Sequence, residues 1–345
     1  MNRKTSFRAA TLAALPCCAM LAAPGYLSAA LAGTAAIVTF DPPGSIGTYP
    51  WDSNKDGSIA GFWYDSTDNI TKAFIRAPDG TLTTFQNPDS KVTAAYGINS
   101  DGVTTGHWTV LQGNHPGFIR HSGGSTIIFH APGDASGTFP IAITDKGVIA
   151  GSYYDVYSVP HGFVRQREGT ITTFDVKRDA YGTRAMAINS DNVIAGTYGD
   201  ANGLVHGFVR DAAGTITKFH APGAANGTFV LGINGAGAIA GDYADSNFVY
   251  HGFVRAADGT MTIFDPPGSV GTFSTGINNS GQIVGYYEDS AYAAHGFLRT
   301  AGGNFRIFDV SGAAGTYPNN INNEGLIAGW YIDAEGNYRG FLRSK

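Results

Sequence analysis

The sequence predicts an all-β fold, a seven-bladed β-propeller with four antiparallel strands per blade. Three observations lead there. A Phe-aliphatic-Arg triplet recurs at Phe74, Phe118, Phe163, Phe208, Phe253, Phe297 and Phe341, at intervals of 44 or 45 residues. A fixed period in that range marks a propeller, solenoid or array. Each interval holds four short runs of β-branched and aromatic residues, separated by Gly, Asn, Asp and Pro clusters. The 48 glycines argue against helical repeats of similar period, because Gly is costly inside helices.

Each repeat reads as strands a, b, c and d. In the fifth repeat, a spans 228–234, b 238–243, c 251–255 and d 260–264. The a–b connection is tight, as in Asn278-Asn279-Ser280-Gly281. So is the c–d connection, as in Ala257-Asp258-Gly259. Asn, Asp and Gly supply the backbone angles such hairpins need. The b–c and d–a connections are longer. The latter carry Asp41-Pro42-Pro43-Gly44 and Asp265-Pro266-Pro267-Gly268, where proline stops the ladder. The strands are apolar on both faces, so neighbouring blades are expected to sandwich each sheet.

The phase of the repeat predicts the closure. Residues 36–41 read as a d strand without its a, b and c, and residues 343–345 complete a c strand without its d. Phe at 40, 85, 129, 174, 219, 264 and 308 marks seven d strands. The closing blade should therefore take a, b and c from the C-terminal end and d from the N-terminal end, which removes the exposed sheet edges.

Residues 1–32 stand outside the repeat. Arg3, Lys4 and Arg8 precede an apolar, Ala-rich run over 9–23, and Ala30-Leu31-Ala32 offers a processing site. This reads as a secretory signal peptide. It leaves residues 33–345 as a single propeller domain, secreted to the periplasm or the exterior. Cys17 and Cys18 fall in the leader, so the remaining chain has no thiol. It carries 19 basic against 27 acidic residues, a net of −8. That balance argues against nucleic acid and anionic membrane as partners. No other segment is apolar enough to span a bilayer. A monomer is expected.

These stretches resemble the HAF-type probable extracellular repeat family. The resemblance rests on Ile98-Asn99-Ser100-Asp101-Gly102, on Ile277-Asn278-Asn279-Ser280-Gly281-Gln282-Ile283-Val284-Gly285, and on His161-Gly162-Phe163 with its copies, once as Lys72-Ala73-Phe74. It covers all seven repeats. Gly usually replaces the family's central Ala, and Arg its Trp. The resemblance implies an exported repeat protein and carries no agreed enzymatic activity.

Several residue sets invite a functional reading. Asp and His recur six apart at Asp155/His161, Asp200/His206, Asp245/His251 and Asp289/His295. The pattern fits metal binding or acid–base work, but four like pairs around one ring fit a hydrogen-bonded loop clamp better. Trp63, Trp108, Tyr153, Tyr198, Tyr243, Tyr287 and Tyr331 share one strand-b position and are expected to pack between blades, over the Gly two residues earlier. The seven Arg residues are expected to serve solubility and local pairing. Asp52-Ser53-Asn54-Lys55-Asp56-Gly57 matches half of a calcium loop but lacks its later acidic ligand. His107, His115 and His121 cluster in the second repeat without ligand spacing. No cofactor and no metal are expected.

The repeat breaks its own rule after the Gly-Thr that opens strand a. That position reads Tyr49, Ala94, Phe139, Arg184, Phe229, Phe273 and Tyr317, and the preceding loop of the fourth repeat carries Lys177 and Arg178. The rings and the cationic group fit a sugar-stacking or anion-gripping site at the loop-rich end, or a cap over the core. The expected function is a non-enzymatic binding module for a carbohydrate, peptide or protein, acting through the loop-rich face. The alternatives are an extracellular carbohydrate-active lyase or hydrolase, for which His130 and His220 are the asymmetric candidates, and a structural surface protein.

Overall fold

The computed structural model describes residues 35–110, 115–178 and 180–345; the leader expected over 1–32 lies outside them. The described residues form 28 strands and no helix. β1 (Ile37–Phe40) comes first. Repeat 1 follows as β2 (Ser45–Ser53), β3 (Ile59–Asp65), β4 (Ile70–Arg76) and β5 (Leu82–Phe85). Repeat 2 is β6 (Ser90–Ile98), β7 (Thr104–Val110), β8 (Gly117–Arg120) and β9 (Thr126–Phe129). Repeat 3 is β10 (Gly137–Ile143), β11 (Ile149–Tyr154), β12 (Pro160–Arg165) and β13 (Ile171–Phe174). Repeat 4 is β14 (Thr183–Ile188), β15 (Ile194–Gly199), β16 (Val205–Arg210) and β17 (Ile216–Phe219). Repeat 5 is β18 (Thr228–Ile233), β19 (Ile239–Ala244), β20 (Tyr250–Arg255) and β21 (Met261–Phe264). Repeat 6 is β22 (Gly271–Ile277), β23 (Ile283–Glu288), β24 (Ala294–Arg299) and β25 (Phe305–Phe308). β26 (Gly315–Ile321), β27 (Ile327–Ile332) and β28 (Tyr338–Arg343) end the chain.

Repeats 3 to 6 are separate four-stranded antiparallel sheets. The remaining strands form one larger sheet of three four-strand groups, joined only by the single parallel bridges Gly47↔Tyr338 and Thr71↔Val92. In the last of these groups, β1 pairs antiparallel with β28 from Ile37↔Arg343 to Phe40↔Gly340.

The sheets pack face to face, and the core lies between them. Phe74, Phe118, Phe163, Phe208, Phe253, Phe297 and Phe341 are fully buried. Each hydrophobic cluster draws on two repeats: Val148, Ala150 and Val164 meet Ile194, Tyr198 and Phe208, for example. Another joins Ala328 and Leu342 to Ile59, Trp63 and Phe74, bringing the last and first repeats together. Strand b needs glycine beneath these rings. A Cβ at Gly241 would lie 2.0 Å from the Phe229 carbonyl oxygen and 2.7 Å from the Phe253 ring. The ring covering that glycine is thus the strand-c Phe, not the strand-b aromatic that the sequence suggested.

The inner strands touch in sequence: β2 with β6, β6 with β10, and onward through β14, β18, β22 and β26, which returns to β2. A side-chain circuit follows the same path. The Oδ1 of Asn54 accepts from the amides of Asp56 and Ser58, holding its own a–b turn. Its Nδ2 donates 3.0 Å to the Asn99 carbonyl of the next repeat. Asn99 reaches Thr144, Asn189 reaches Asn234, Asn234 reaches Asn278 and Asn278 reaches Asn322. Asn322 then donates 2.7 Å back to the Asn54 carbonyl. Thr144 has no amide to offer. There Lys146 Nζ crosses to the Ser190 carbonyl at 3.3 Å instead.

Candidate functional site

The repeated polar residues build the repeat. In the Asp–His pairs, the Asp oxygen caps its loop: Asp155 Oδ1 accepts from the amides of Tyr157 and Val159, at 2.9 Å each. The Val159 amide leads the contacts that hold this carboxyl below its usual range. His161 spans two loops, its Nε2 3.5 Å from Asp155 and its Nδ1 2.9 Å from Asp175. Tyr153 stacks on its ring at 5.0 Å. In repeat 1, Lys72 takes the His place and pairs with Asp65.

The seven Arg residues do more than confer solubility. Each guanidinium lies over the strand-d Phe of the preceding repeat: Arg120 over Phe85 at 4.5 Å, Arg255 over Phe219 at 5.0 Å, Arg343 over Phe308 at 4.6 Å. Arg76 lies 5.2 Å over Phe40, on β1. Such contacts contribute from about 0.5 to 2 kcal/mol each, most where desolvated. The half calcium loop is an a–b turn held by Asn54, and Asp52 bonds instead to Ile98 and Asn320 on its neighbouring strands.

At the loop-rich end, the Thr after each Gly is fully buried and anchors the d–a connection; Thr228 Oγ1 accepts from the Ala221 amide at 3.0 Å. The residues that follow it, Tyr49, Phe139, Arg184, Phe229, Phe273 and Tyr317, are all half-buried. Their rings engage strand-b and strand-c rings of their own and neighbouring repeats. Tyr317 stacks on Trp330 at 3.9 Å, Phe273 on Tyr286 at 4.7 Å, and Tyr49 on Phe62 at 5.2 Å. The belt continues from Tyr96 to His107 to Phe139, and Arg184 lies 6.0 Å over Tyr154. His107 thus serves as a ring in the belt, and burial pushes its imidazole down to about 3. Lys177 and Arg178 are exposed nearby. The b–c loops carry Phe248 and Tyr292, 70% and 76% exposed, with left-handed backbone at φ 64° and 61°.

Of those belt residues Tyr96 alone lines the cavity that runs along the inner strands toward the a–b-turn end and measures about 360 Å³. A bulge creates its wall. In β2 the register shifts between Pro50 and Asp52, and the extra residue, Trp51, faces inward. The same place is filled by Tyr96, Ile141, Met186, Leu231, Thr275 and Asn319, and all seven line the cavity. One more turn of wall is a ring of isoleucines, among them Ile98, Ile188 and Ile277. The rim is polar and exposed at Lys55, Asp145, Ser190, Asn279 and Asn323.

The wall is uneven. Repeats 3 to 5 present only Ile141, Met186 and Leu231 at the bulge. Repeats 7, 1 and 2 present Asn319, Trp51 and Tyr96, with Trp51 edge-on to Tyr96 at 5.0 Å. The next position is Gly or Ala in five repeats, because the neighbouring strand is close: a Cβ at Gly97 would meet the Ile141 carbonyl oxygen at 3.2 Å. The exceptions are Asn320 and Asp52. Asn320 Nδ2 donates 2.9 Å to Asp52 Oδ1, and Ser53 Oγ donates 2.6 Å to Asn320 Oδ1. Asp52 also accepts from the amides of Ser53 and Ile98. Burial pushes its carboxyl up to about 6, against these amide hydrogen bonds. The sequence reading missed this site. Its signal was seven different residues at one position, three before the turn Asn.

No protein-family profile matches the chain, and no curated protein matches it. Among solved structures, it is similar to virginiamycin B lyase from Staphylococcus aureus at 16% identity, over 89% of this chain and 99% of that one, with a TM-score of 0.61. It is similar to a puromycin hydrolase at 9% identity, over 88% and 54%, with a TM-score of 0.62. The β-propeller domain of the Trilobed protease from Pyrococcus furiosus matches at 7% identity, over 86% and 95%, with a TM-score of 0.57. At these identities the likeness shows the fold alone: the chain is a β-propeller built of four-stranded antiparallel sheets.

Proposed function

We propose that this protein is an exported, seven-bladed β-propeller that acts as a non-catalytic binding module and lodges a small organic ligand in its axial cavity. One observation carries the reading. Along the inner strands the Thr48 position is Thr in all seven repeats and the Asn54 position is Asn in six, yet the Trp51 position between them differs in every repeat. The first two make the bonds that hold the scaffold. A wall with only a scaffold role could be filled the same way each time.

The count of seven draws on the circuit of inner strands, on the return of Asn322 to Asn54, and on the pairing of β1 with β28. Export draws on the basic and then apolar leader and on the likeness to HAF-type repeats. Binding is favoured over catalysis by the partners of Asp52. They are amides, from Ser53, Ile98 and Asn320, rather than a second ionisable group. The cavity's size suits a small molecule.

A thermal-shift screen of metabolites and short glycans tests this, run on the wild type, on Leu231→Trp to fill the cavity, and on Arg184→Ala. The reading expects ligands that raise Tm in the wild type and in Arg184→Ala but not in Leu231→Trp. A second reading uses the loop-rich end, where Lys177, Arg178, Phe248 and Tyr292 are exposed. Hits lost in Arg184→Ala and kept in Leu231→Trp would favour it. A screen with no hits would overturn the cavity reading.

A further inference from the structure

We infer that the axial cavity selects a small organic ammonium ion carrying an aliphatic tail. The inference rests on the cavity being the binding site and adds the class of ligand. Three features of the wall point the same way.

The first is an uncompensated carboxylate. Asp52 sits in the wall held only by amide donors, and no lysine or arginine pairs with it among the described residues. A carboxylate taken out of water is costly unless paired. A ligand cation supplies the missing charge. The second feature is the pair of rings beside it. Trp51 is 39% exposed and stands edge-on to Tyr96 at 5.0 Å, with Phe62 at 6.0 Å from Trp51. Rings meeting at such angles offer electron-rich faces to an ammonium group, which they attract. The third is the far wall. Ile141, Met186 and Leu231 give that side no polar side chain at the bulge. A sugar has hydroxyls on both edges, and those facing this wall would lose their partners to water without replacement. An alkyl tail loses nothing there and gains burial.

The test is calorimetric titration of the full chain near neutral pH with n-hexylammonium, hexan-1-ol, hexanoate and D-glucose. The inference expects hexylammonium to bind at least about tenfold more tightly than the other three, the gain that a desolvated cation–π contact and ion pair confer. Trp51→Leu and Asp52→Asn should each remove most of that preference while leaving hexan-1-ol binding within about twofold. Trp51 is exposed, so its substitution keeps the test alive if Asp52→Asn does not fold. Equal binding of hexan-1-ol, or preference for hexanoate or glucose, would overturn the cationic assignment. If a screened ligand is lost in Leu231→Trp while hexylammonium gains no preference, this inference fails and the cavity reading stands. If nothing binds in a way that Leu231→Trp abolishes, both fail.

Discussion

Two strand pairs in this molecule have one register and different connections. In repeat 5, β20 and β21 pair from Gly252↔Phe264 to Arg255↔Met261, and a short turn joins them. At the chain ends, β28 and β1 pair from Gly340↔Phe40 to Arg343↔Ile37 with no chain between them. Where the turn would be, Ala36 and Ser344 exchange hydrogen bonds of 2.9 Å. The register is therefore set by what the strands pack against, not by the hairpin that connects most of them. Phe341 fills the same buried place as Phe253, and Phe40 and Phe219 each lie under an arginine of the next repeat. The proposed ring treats the closing pair as one more c–d unit.

The strongest way to break this equivalence is to remove the N-terminal partner. Deleting residues 33–41 takes away β1, exposes the edge of β28 and uncovers Arg76. The expected result is loss of the cooperative thermal transition, or aggregation, in calorimetry and light scattering. Unchanged Tm would refute the closure. A milder break is Asn322→Ala. It removes two turn caps and the bond to Asn54, an expected loss of about 3 kcal/mol at roughly 1 kcal/mol per hydrogen bond. Urea unfolding should give the same loss for Asn234→Ala, which makes the same three bonds within the continuous part of the chain. A much smaller loss at Asn322 would mean that the circuit is open there.

Arg76→Ala and Arg255→Ala compare the two places through cation–π contact. Each should cost about 1 to 2 kcal/mol in the same assay, and similar values support equal packing. Loss at Arg255 alone would show that Phe40 is not held in solution. The smallest expected effect is a gain. Thr144→Asn completes the circuit between repeats 3 and 4 and should raise stability by about 1 kcal/mol, since among the described residues Lys146, not an Asn amide, bridges that junction. A loss there would show that the turn at Thr144 does not tolerate the amide geometry of its six counterparts.

Much of the fold was legible because Gly, Asn, Asp and Pro punctuate every strand, and because Phe40 falls on the strand-d series ahead of the first full repeat. What the turn residues do beyond the turn was not. Asn54 has the chemistry of a hairpin residue, and nothing local says that its amide reaches the next repeat. Arg255 looked like a surface residue because its ring partner lies in another repeat. The cavity was hidden for a different reason. Alternation along a strand places Trp51 and Tyr49 on one face, and only the bulge between Pro50 and Asp52 sends Trp51 into the channel. The residue after Gly-Thr supplies rings that pack on the b and c strands of their own and neighbouring repeats, while the position two residues on carries the sevenfold variation.

Native-state hydrogen exchange tests the central claim most directly, through the amides of β1 that donate into β28 and their equivalents in β21 that donate into β20. The account predicts matched protection, with both sets exchanging through the same opening as the rest of the propeller. Rapid exchange in residues 37–40 beside strong protection in 261–264 would contradict it.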